Sequence, residues 1–193
     1  MRHRLAFVLL TAASAAAGCH AETKSDEFVY RPDLRPSVYF PLAVGTAWSY
    51  NVTDPARADT LLLINRVISR DGNRAIFSAP PDPMAYVDAG DRITMEPAGK
   101  IVLQAPLTVG AQWPIKGGTA TIRSVDARAE TPAGTWSSCL VVEENLGPGR
   151  VVTTYAPNVG PVQVEVYGRD LQVEIPMSRA VLRGYSKAGS QAP

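Results

Sequence analysis

The sequence predicts an all-β domain with an antiparallel, strongly curved sheet, and three observations carry that prediction. Apolar and polar residues alternate with a period of two in segments such as 161–167 and 171–176, as in half-buried strands. The 193 residues include 16 Pro and 15 Gly, a density that favours many short elements over long helices. Asp71-Gly72 and Gly168-Arg169-Asp170 are typical of hairpin turns between strands. A β-sandwich is the alternative that these patterns leave open.

Composition limits the function classes. Hydrophobic residues make up 46% and charged residues 19%, so the chain can bury a core. Lys and Arg total 19 against 18 Asp and Glu, a net charge of +1, which excludes the electrostatic footprint of a nucleic-acid-binding domain. Two cysteines exclude a disulfide framework. We therefore expect one globular domain with no nucleic-acid partner.

Residues 1–18 have the layout of an export signal peptide. Arg2 and Arg4 give a basic start, 5–10 form an apolar run, and small residues follow. The apolar run is well short of the roughly 20 residues that a membrane-spanning helix needs. We therefore predict that residues 1–18 are a signal peptide and belong to no folded domain.

The segment Ala16-Ala17-Gly18-Cys19 resembles the lipobox of bacterial lipoproteins, although the commonest pattern has Leu where Ala16 stands. The resemblance implies that the Cys19 thiol receives a diacylglyceryl group and that the signal is cut before it. The new amino group would then be acylated, and several acyl chains anchor a protein durably. Because His20 and not Asp follows, the resemblance implies the outer membrane, facing the periplasm, with the inner membrane or the cell surface left open. An ordinary secretory signal cut after Ala17 is the alternative.

The segments on either side of the strand-rich region are predicted to lie outside the folded domain. Residues 19–38 are polar and contain Pro32 and Pro36, which indicates a flexible stalk after the lipidated cysteine. Residues 39–185 are predicted to form a single β-domain, and residues 186–193 a disordered tail.

Within the predicted domain we expect about a dozen strands, spaced evenly enough for a barrel, a sandwich or a strongly curved sheet. The predicted strands are 46–53, 59–70, 73–79, 84–88, 92–96, 100–104, 118–128, 135–145, 150–156, 161–167, 171–176 and 179–185.

A repeated phrase, P-L-x-V-G-x-x-W, occurs at residues 41–48 and again at 106–113, and 155–160 carries a shorter piece. We expect each copy to be a tight turn entering a strand. Its Pro would fix φ, its Leu and Val would fill the end of the core, and its Gly would adopt a φ that other residues resist. Its Trp would begin the strand and be buried. Two copies suggest two related halves.

Three phrases together resemble a family of uncharacterised bacterial lipoproteins and periplasmic proteins. They are YFPL…VG…WSY from residue 39, ETPAGTW…CL from residue 130, and YAPNVGPV from residue 155. The resemblance implies a clam-like or half-barrel β-domain, broadly similar to envelope lipoprotein carriers. The family has no agreed activity, so no functional residue is carried over from it.

Histidine chemistry is excluded from the predicted domain. The chain has two histidines, His3 in the signal and His20 in the stalk. Ser-His-Asp and Cys-His catalysis are therefore excluded, and a catalytic zinc site is not expected. We predict that the protein is not an enzyme and needs no cofactor.

Other reactive residues have simpler interpretations. Cys139 lies in an apolar strand, so we expect a buried thiol. Asp88, Asp91 and Glu96 could hold calcium, but we interpret them as solvated flanks of a hairpin and predict no metal site. Glu143-Glu144 are adjacent in a strand, so they face opposite sides and cannot flank one glycosidic bond.

Four aromatic residues form the candidate site. Trp48, Tyr50, Trp113 and Trp136 could line a cleft for a lipid or acyl chain, with core packing as the alternative. The first functional hypothesis is a membrane-anchored, non-catalytic β-domain that acts by contact with another envelope component. The alternative is a carrier or sensor of an apolar ligand, held in a half-barrel cleft. An enzyme that uses only carboxylates is the third.

Overall fold

The computed structural model describes residues 28–31, 33–55, 59–78, 81–147, 149–168 and 175–189. The predicted signal peptide, Cys19, His20, residues 19–27 of the stalk and the end of the tail lie outside the described residues. The predicted strand 171–176 lies mostly outside them too, and residues 175 and 176, which are described, belong to no strand.

Twelve strands of the described residues form one antiparallel sheet, which curls into a nearly closed barrel with one open seam. The predicted all-β, strongly curved architecture is confirmed, and the β-sandwich alternative is wrong because there is one sheet and not two. The strands are β1 (Ala47–Thr53), β2 (Leu61–Asp71), β3 (Arg74–Ser78), β4 (Met84–Asp88), β5 (Arg92–Glu96), β6 (Lys100–Gln104), β7 (Gln112–Ile115), β8 (Gly118–Thr131), β9 (Gly134–Asn145), β10 (Arg150–Ala156), β11 (Gly160–Tyr167) and β12 (Ser178–Ser186).

The sheet consists of two six-strand meanders placed end to end. Its order is β6-β5-β4-β3-β2-β1-β12-β11-β10-β9-β8-β7, so each meander pairs its strands in chain order. The meanders join where β1 pairs with β12, and we call this pairing the closed junction. The gap between β6 and β7 is the open seam. Six strands separate the two around the barrel in either direction, so the junction and the seam lie on opposite sides.

The repeated phrase builds the same turn twice. Gly45 has φ +90° and Gly110 has φ +85°, a region that disfavours side chains. The Gly45 amide donates to the Val67 carbonyl at 2.8 Å, and the Gly110 amide donates to the Ile122 carbonyl at 2.9 Å. Each copy therefore fastens the start of its first strand, β1 or β7, to the next strand of the same meander.

The expectation that both the Leu and the Val of the repeated phrase fill the end of the core is wrong for the Val. Leu42 and Leu107 are buried, as expected, but Val44 and Val109 are 50% and 62% exposed. The two positions lie in a turn and not in a strand, so only the leucine faces the core.

The N-terminal segment packs on the barrel instead of leaving it as a stalk. A four-residue helix, α1 (Pro36–Tyr39), is followed by the buried Phe40. The Phe28 ring meets the Tyr39 ring edge-on at 6.0 Å, and the Tyr30 hydroxyl donates to the Leu107 carbonyl. The folded domain therefore extends further toward the N-terminus than the predicted boundary at residue 39.

Candidate functional site

Trp48 lies inside the barrel beside the closed junction. Its side chain is only 2% exposed, and its indole stacks on Phe77 at 5.6 Å and on Phe40 at 6.5 Å between ring centroids. The indole N–H donates to the Val159 carbonyl at 2.7 Å. Both the ring and its one polar atom are therefore occupied by the protein itself.

Tyr50 follows Trp48 on the same face of β1 and is also buried. Its hydroxyl donates to the Pro161 carbonyl at 2.8 Å. Burial raises the pKa of Tyr50, and the neighbouring Tyr155 and Tyr86 raise it further. The phenol therefore stays protonated and serves as a hydrogen-bond donor within the core.

Trp113 lies at the open seam and links its two edges. Its side chain is 2% exposed, and its indole N–H donates to the Ile101 carbonyl on β6 at 3.1 Å. This bond crosses from β7 to β6 where, within the described residues, no backbone ladder joins the two strands. Trp113 therefore helps to hold the seam shut.

A partly buried ion pair crosses the same seam. The Lys100 ammonium on β6 donates to the Glu144 carboxylate on β9 at 2.7 Å. Glu144 is paired in register with Ala120 on β8, which is paired with Trp113 on β7, so Lys100 reaches past two strands. The Glu144 side chain is 9% exposed and that of Lys100 is 35% exposed, so the carboxylate depends on this partner for its compensation.

Trp136 lies on the hairpin formed by β8 and β9 and packs against the edge of the core. It is half-buried, and its indole N–H donates to the Thr131 hydroxyl at 3.1 Å. The structure therefore does not bring the four predicted residues into one open cleft. Three of them fill the core, and Trp136 packs against it from the β8–β9 hairpin while remaining partly exposed.

Cys139 is a fully buried free thiol, as predicted. Burial raises the pKa of Cys139 to about 11, so the nucleophilic thiolate is disfavoured at neutral pH.

The acidic residues considered for metal binding are each held by the protein. The Gly90 amide donates to the Asp88 carboxylate at 2.9 Å, Asp91 pairs with Arg92 at 2.8 Å, and Glu96 pairs with Arg74 at 2.9 Å. In the described part of the chain, no group of three or more His, Cys, Asp and Glu residues is placed to hold a metal ion.

Glu143 and Glu144 face opposite sides of the sheet, as predicted. Glu143 pairs with the exposed Arg123 at 2.6 Å, whereas the Glu144 carboxylate is buried at the seam. These two carboxylates cannot act on one bond.

Two pockets open on the outside of the barrel. A pocket of about 600 Å³ opens over β3, β4 and β5, and a second of about 450 Å³ lies between the β8–β9 hairpin and strands β1 and β12. The first has an apolar floor that includes Ile76 and Met84, and the Arg74–Glu96 ion pair lies beside it. The pocket therefore combines an apolar floor with a charged rim.

The outer face of β2 carries three large aliphatic side chains, which we call the aliphatic strip. Leu62, Ile64 and Ile68 are 54%, 51% and 48% exposed. Val67 on the same strand is fully buried, so the strip projects away from the core. Ile64 also borders a shallow pocket of about 260 Å³ that extends over β1 and β12.

Sequence reasoning missed the ion pair at the seam and the aliphatic strip. Lys100 and Glu144 are 44 residues apart, and no local pattern links them. The sequence does indicate the strip. Residues 61–64 are Leu-Leu-Leu-Ile, and four consecutive apolar residues place apolar side chains on both faces of a strand. A strand with one buried face needs apolar residues only at alternate positions.

Two solved structures are similar to this fold. One is that of a "putative exported protein with YmcC-like fold" from Bacteroides fragilis NCTC 9343. It has a TM-score of 0.50 and 17% identity, and the match covers 78% of this chain and 99% of that one. The other is that of a "putative lipoprotein" from Parabacteroides distasonis ATCC 8503, with a TM-score of 0.47, 15% identity and coverage of 77% and 98%. At 17% identity, the first likeness shows a shared fold alone.

No family model matches the chain, and no curated protein matches it either. Among the residues that the structure describes, there is no helix with the length and hydrophobicity to cross a bilayer.

Proposed function

We propose that this chain is an envelope lipoprotein, anchored to the outer membrane through lipid on Cys19, whose non-catalytic β-domain acts by contact with another envelope component. The export signal and the lipobox resemblance support the location. The fold shared with a protein described as exported agrees with it.

One observation carries the choice of contact over transport, namely that the barrel is filled by its own side chains. Trp48, Tyr50 and Trp113 are all buried, and each donates its polar hydrogen to a backbone carbonyl. An acyl chain bound inside would have to displace these rings. We therefore expect a partner to bind on the outer surface.

The available side chains support a role without catalysis. The described residues include no histidine, and Cys139 is buried with a raised pKa. The buried Glu144 carboxylate is engaged by Lys100. None of these groups is placed as an activated nucleophile or as a free general base.

The anchor is tested by metabolic labelling with a fatty-acid analogue. We expect label on the wild-type chain and none on Cys19→Ala, since the thioether needs the thiol. Equal label on both chains would contradict the anchor.

The contact is tested at the pocket over β3–β5. Thr94→Trp should fill this pocket, and Thr119→Trp on exposed β8 is the matched control. We expect cross-linking in cells to join the wild-type and Thr119→Trp chains to one defined protein in fixed stoichiometry, and to lose it in Thr94→Trp. A chain that cross-links to no defined protein, or equally in all three forms, would contradict contact at this pocket.

The open seam favours a carrier as the second candidate. β6 and β7 meet there through side chains, so among the described strands this gap can open without the loss of a backbone ladder. A brominated fatty acid should then quench Trp113 fluorescence saturably in a chain that keeps Trp113 as its one tryptophan. Absence of saturable quenching would remove this candidate.

A further inference from the structure

We propose that the outer face of β2, with the neighbouring outer faces of β1 and β12, rests on an anionic phospholipid surface and orients the anchored domain. This inference rests on the proposed lipid anchor. It adds the surface that meets the bilayer and the chemistry that it recognises.

The apolar part of this face has the form of an insertion surface. Ile64 is paired in register with Ser49 on β1, which is paired with Gly184 on β12. Small residues therefore lie beside Ile64, which protrudes above them, whereas Leu62 is flanked by Asn51 and Val181. Protruding aliphatic side chains next to a low floor can enter the headgroup region without steric hindrance from their neighbours.

The charged residues of this face are positive and therefore favour an anionic partner. Arg66 lies on β2 between Ile64 and Ile68, and Arg183 lies at the irregularity of β12 beside Ser49. Both are exposed, and neither forms an ion pair with another described residue. Arginines that flank aliphatic side chains complement phosphate groups above acyl chains.

The length of the tether keeps the whole domain near a membrane. Cys19 and Phe28 are nine residues apart (28 − 19), so even a fully extended chain reaches at most about 30 Å. A domain of about 150 residues has a radius of gyration of about 15 Å and is therefore about 40 Å across, so the tether is shorter than the domain diameter. An anchored domain therefore meets the bilayer continually, and a face that suits lipid decides its orientation.

This orientation keeps the seam away from the membrane. The strip lies next to the closed junction, and the seam is on the opposite side of the barrel. Contact through the strip would leave β5, β6 and β7 facing the periplasm, where another envelope component can reach them.

The experiment uses the full lipidated chain in vesicles, with one label at a time. Ile64→Cys places a thiol in the strip, and Gln112→Cys places one on exposed β7 at the seam as the matched control. Cys139 is buried and the Cys19 thiol is consumed by the anchor, so an environment-sensitive fluorophore attaches at the introduced position.

We expect brominated lipid to quench the label at 64 at least about twofold more than the label at 112, because inserted apolar side chains lie about 5–10 Å into the headgroup boundary. The difference should be larger in vesicles of phosphatidylethanolamine with phosphatidylglycerol than with phosphatidylcholine. It should fall in Arg66→Gln/Arg183→Gln and persist in Lys116→Gln, which removes one charge from the seam side.

Equal quenching at the two positions in chains that float with the vesicles would overturn this inference and leave the anchor intact. Shielding of position 64 that persists in detergent without a bilayer would also overturn it, because that result identifies a second copy or another protein on the strip. A chain that does not float with the vesicles would overturn both the anchor and this inference.

Discussion

The closed junction and the open seam occupy equivalent places, each between the first strand of one meander and the last strand of the other. At the junction, β1 pairs with β12 from Ala47 to Thr53 through backbone hydrogen bonds. At the seam, the Trp113 indole and the Lys100–Glu144 ion pair link β6 to the strands beyond it.

The difference shows that two equivalent strand edges can be joined either by a backbone ladder or by individual side-chain contacts. β7 has four residues and includes Pro114, which has no N–H to give to a ladder. An edge of that kind cannot pair along its length, so individual side chains close the gap. Substitutions at the seam should therefore act one contact at a time, whereas the junction depends on many contacts together.

The largest effect is expected from the two buried tryptophans. Trp48→Ala removes a ring that stacks on Phe77 and Phe40 and should cost about 3–5 kcal/mol in the free energy of unfolding. Trp113→Ala should cost less, because among the described residues its ring stacks on no other. Urea unfolding followed by circular dichroism measures both, and a larger loss for Trp113→Ala would contradict the comparison.

The ion pair at the seam should have the next largest effect. Lys100→Met leaves the buried Glu144 carboxylate without its partner and should cost about 1–3 kcal/mol in the free energy of unfolding. Lys100→Met/Glu144→Leu should recover part of that loss, since an apolar pair leaves no buried charge. If the double variant were no more stable than Lys100→Met, the penalty would not come from the uncompensated charge.

The paired turn glycines test whether the two halves are built alike. Gly45→Ala and Gly110→Ala should each cost about 1–2 kcal/mol, because both positions hold φ near +90°. An added Cβ meets nothing closer than 3.9 Å at Gly45 and nothing within 4 Å at Gly110, so backbone strain is the shared cause. Gly→Asn at each position is the control and should cost less, and a marked difference between the two alanine variants would show that the turns are not equivalent.

The smallest effect concerns pH. Because burial raises the pKa of Cys139 from about 9 to about 11, the folded state holds the thiol proton more tightly than the unfolded state. Its contribution to stability is full below pH about 9 and is lost as the pH rises toward about 11. Cys139→Ala should therefore flatten the fall in melting temperature over that range, and an identical pH profile would contradict the assignment.

Local patterns predicted most of the strands, because alternation and turn residues are local properties. The strands at 84–88, 92–96, 100–104 and 150–156 have the predicted bounds. The prediction missed β7, since four residues that include Pro114 show no alternation. The sequence could not reveal how the sheet closes, because the β1–β12 pairing joins residues more than 100 positions apart.

The candidate site was less predictable than the fold. An aromatic residue on an apolar strand face suits a cleft and a core equally well. Only the packing of Phe40 and Phe77 on Trp48 shows which of the two this barrel has. Similarly, nothing near Lys100 in the sequence indicates a partner on β9.

The central claim is that the barrel is filled by its own side chains and acts through its outer surface. Native mass spectrometry of the protein extracted from membranes in mild detergent tests this claim most directly. The account predicts the mass of the acylated chain that begins at Cys19, with no further lipid whose retention depends on the interior of the barrel. An additional lipid in fixed stoichiometry, retained by the wild-type chain and lost when the interior around Trp113 is altered, would contradict it.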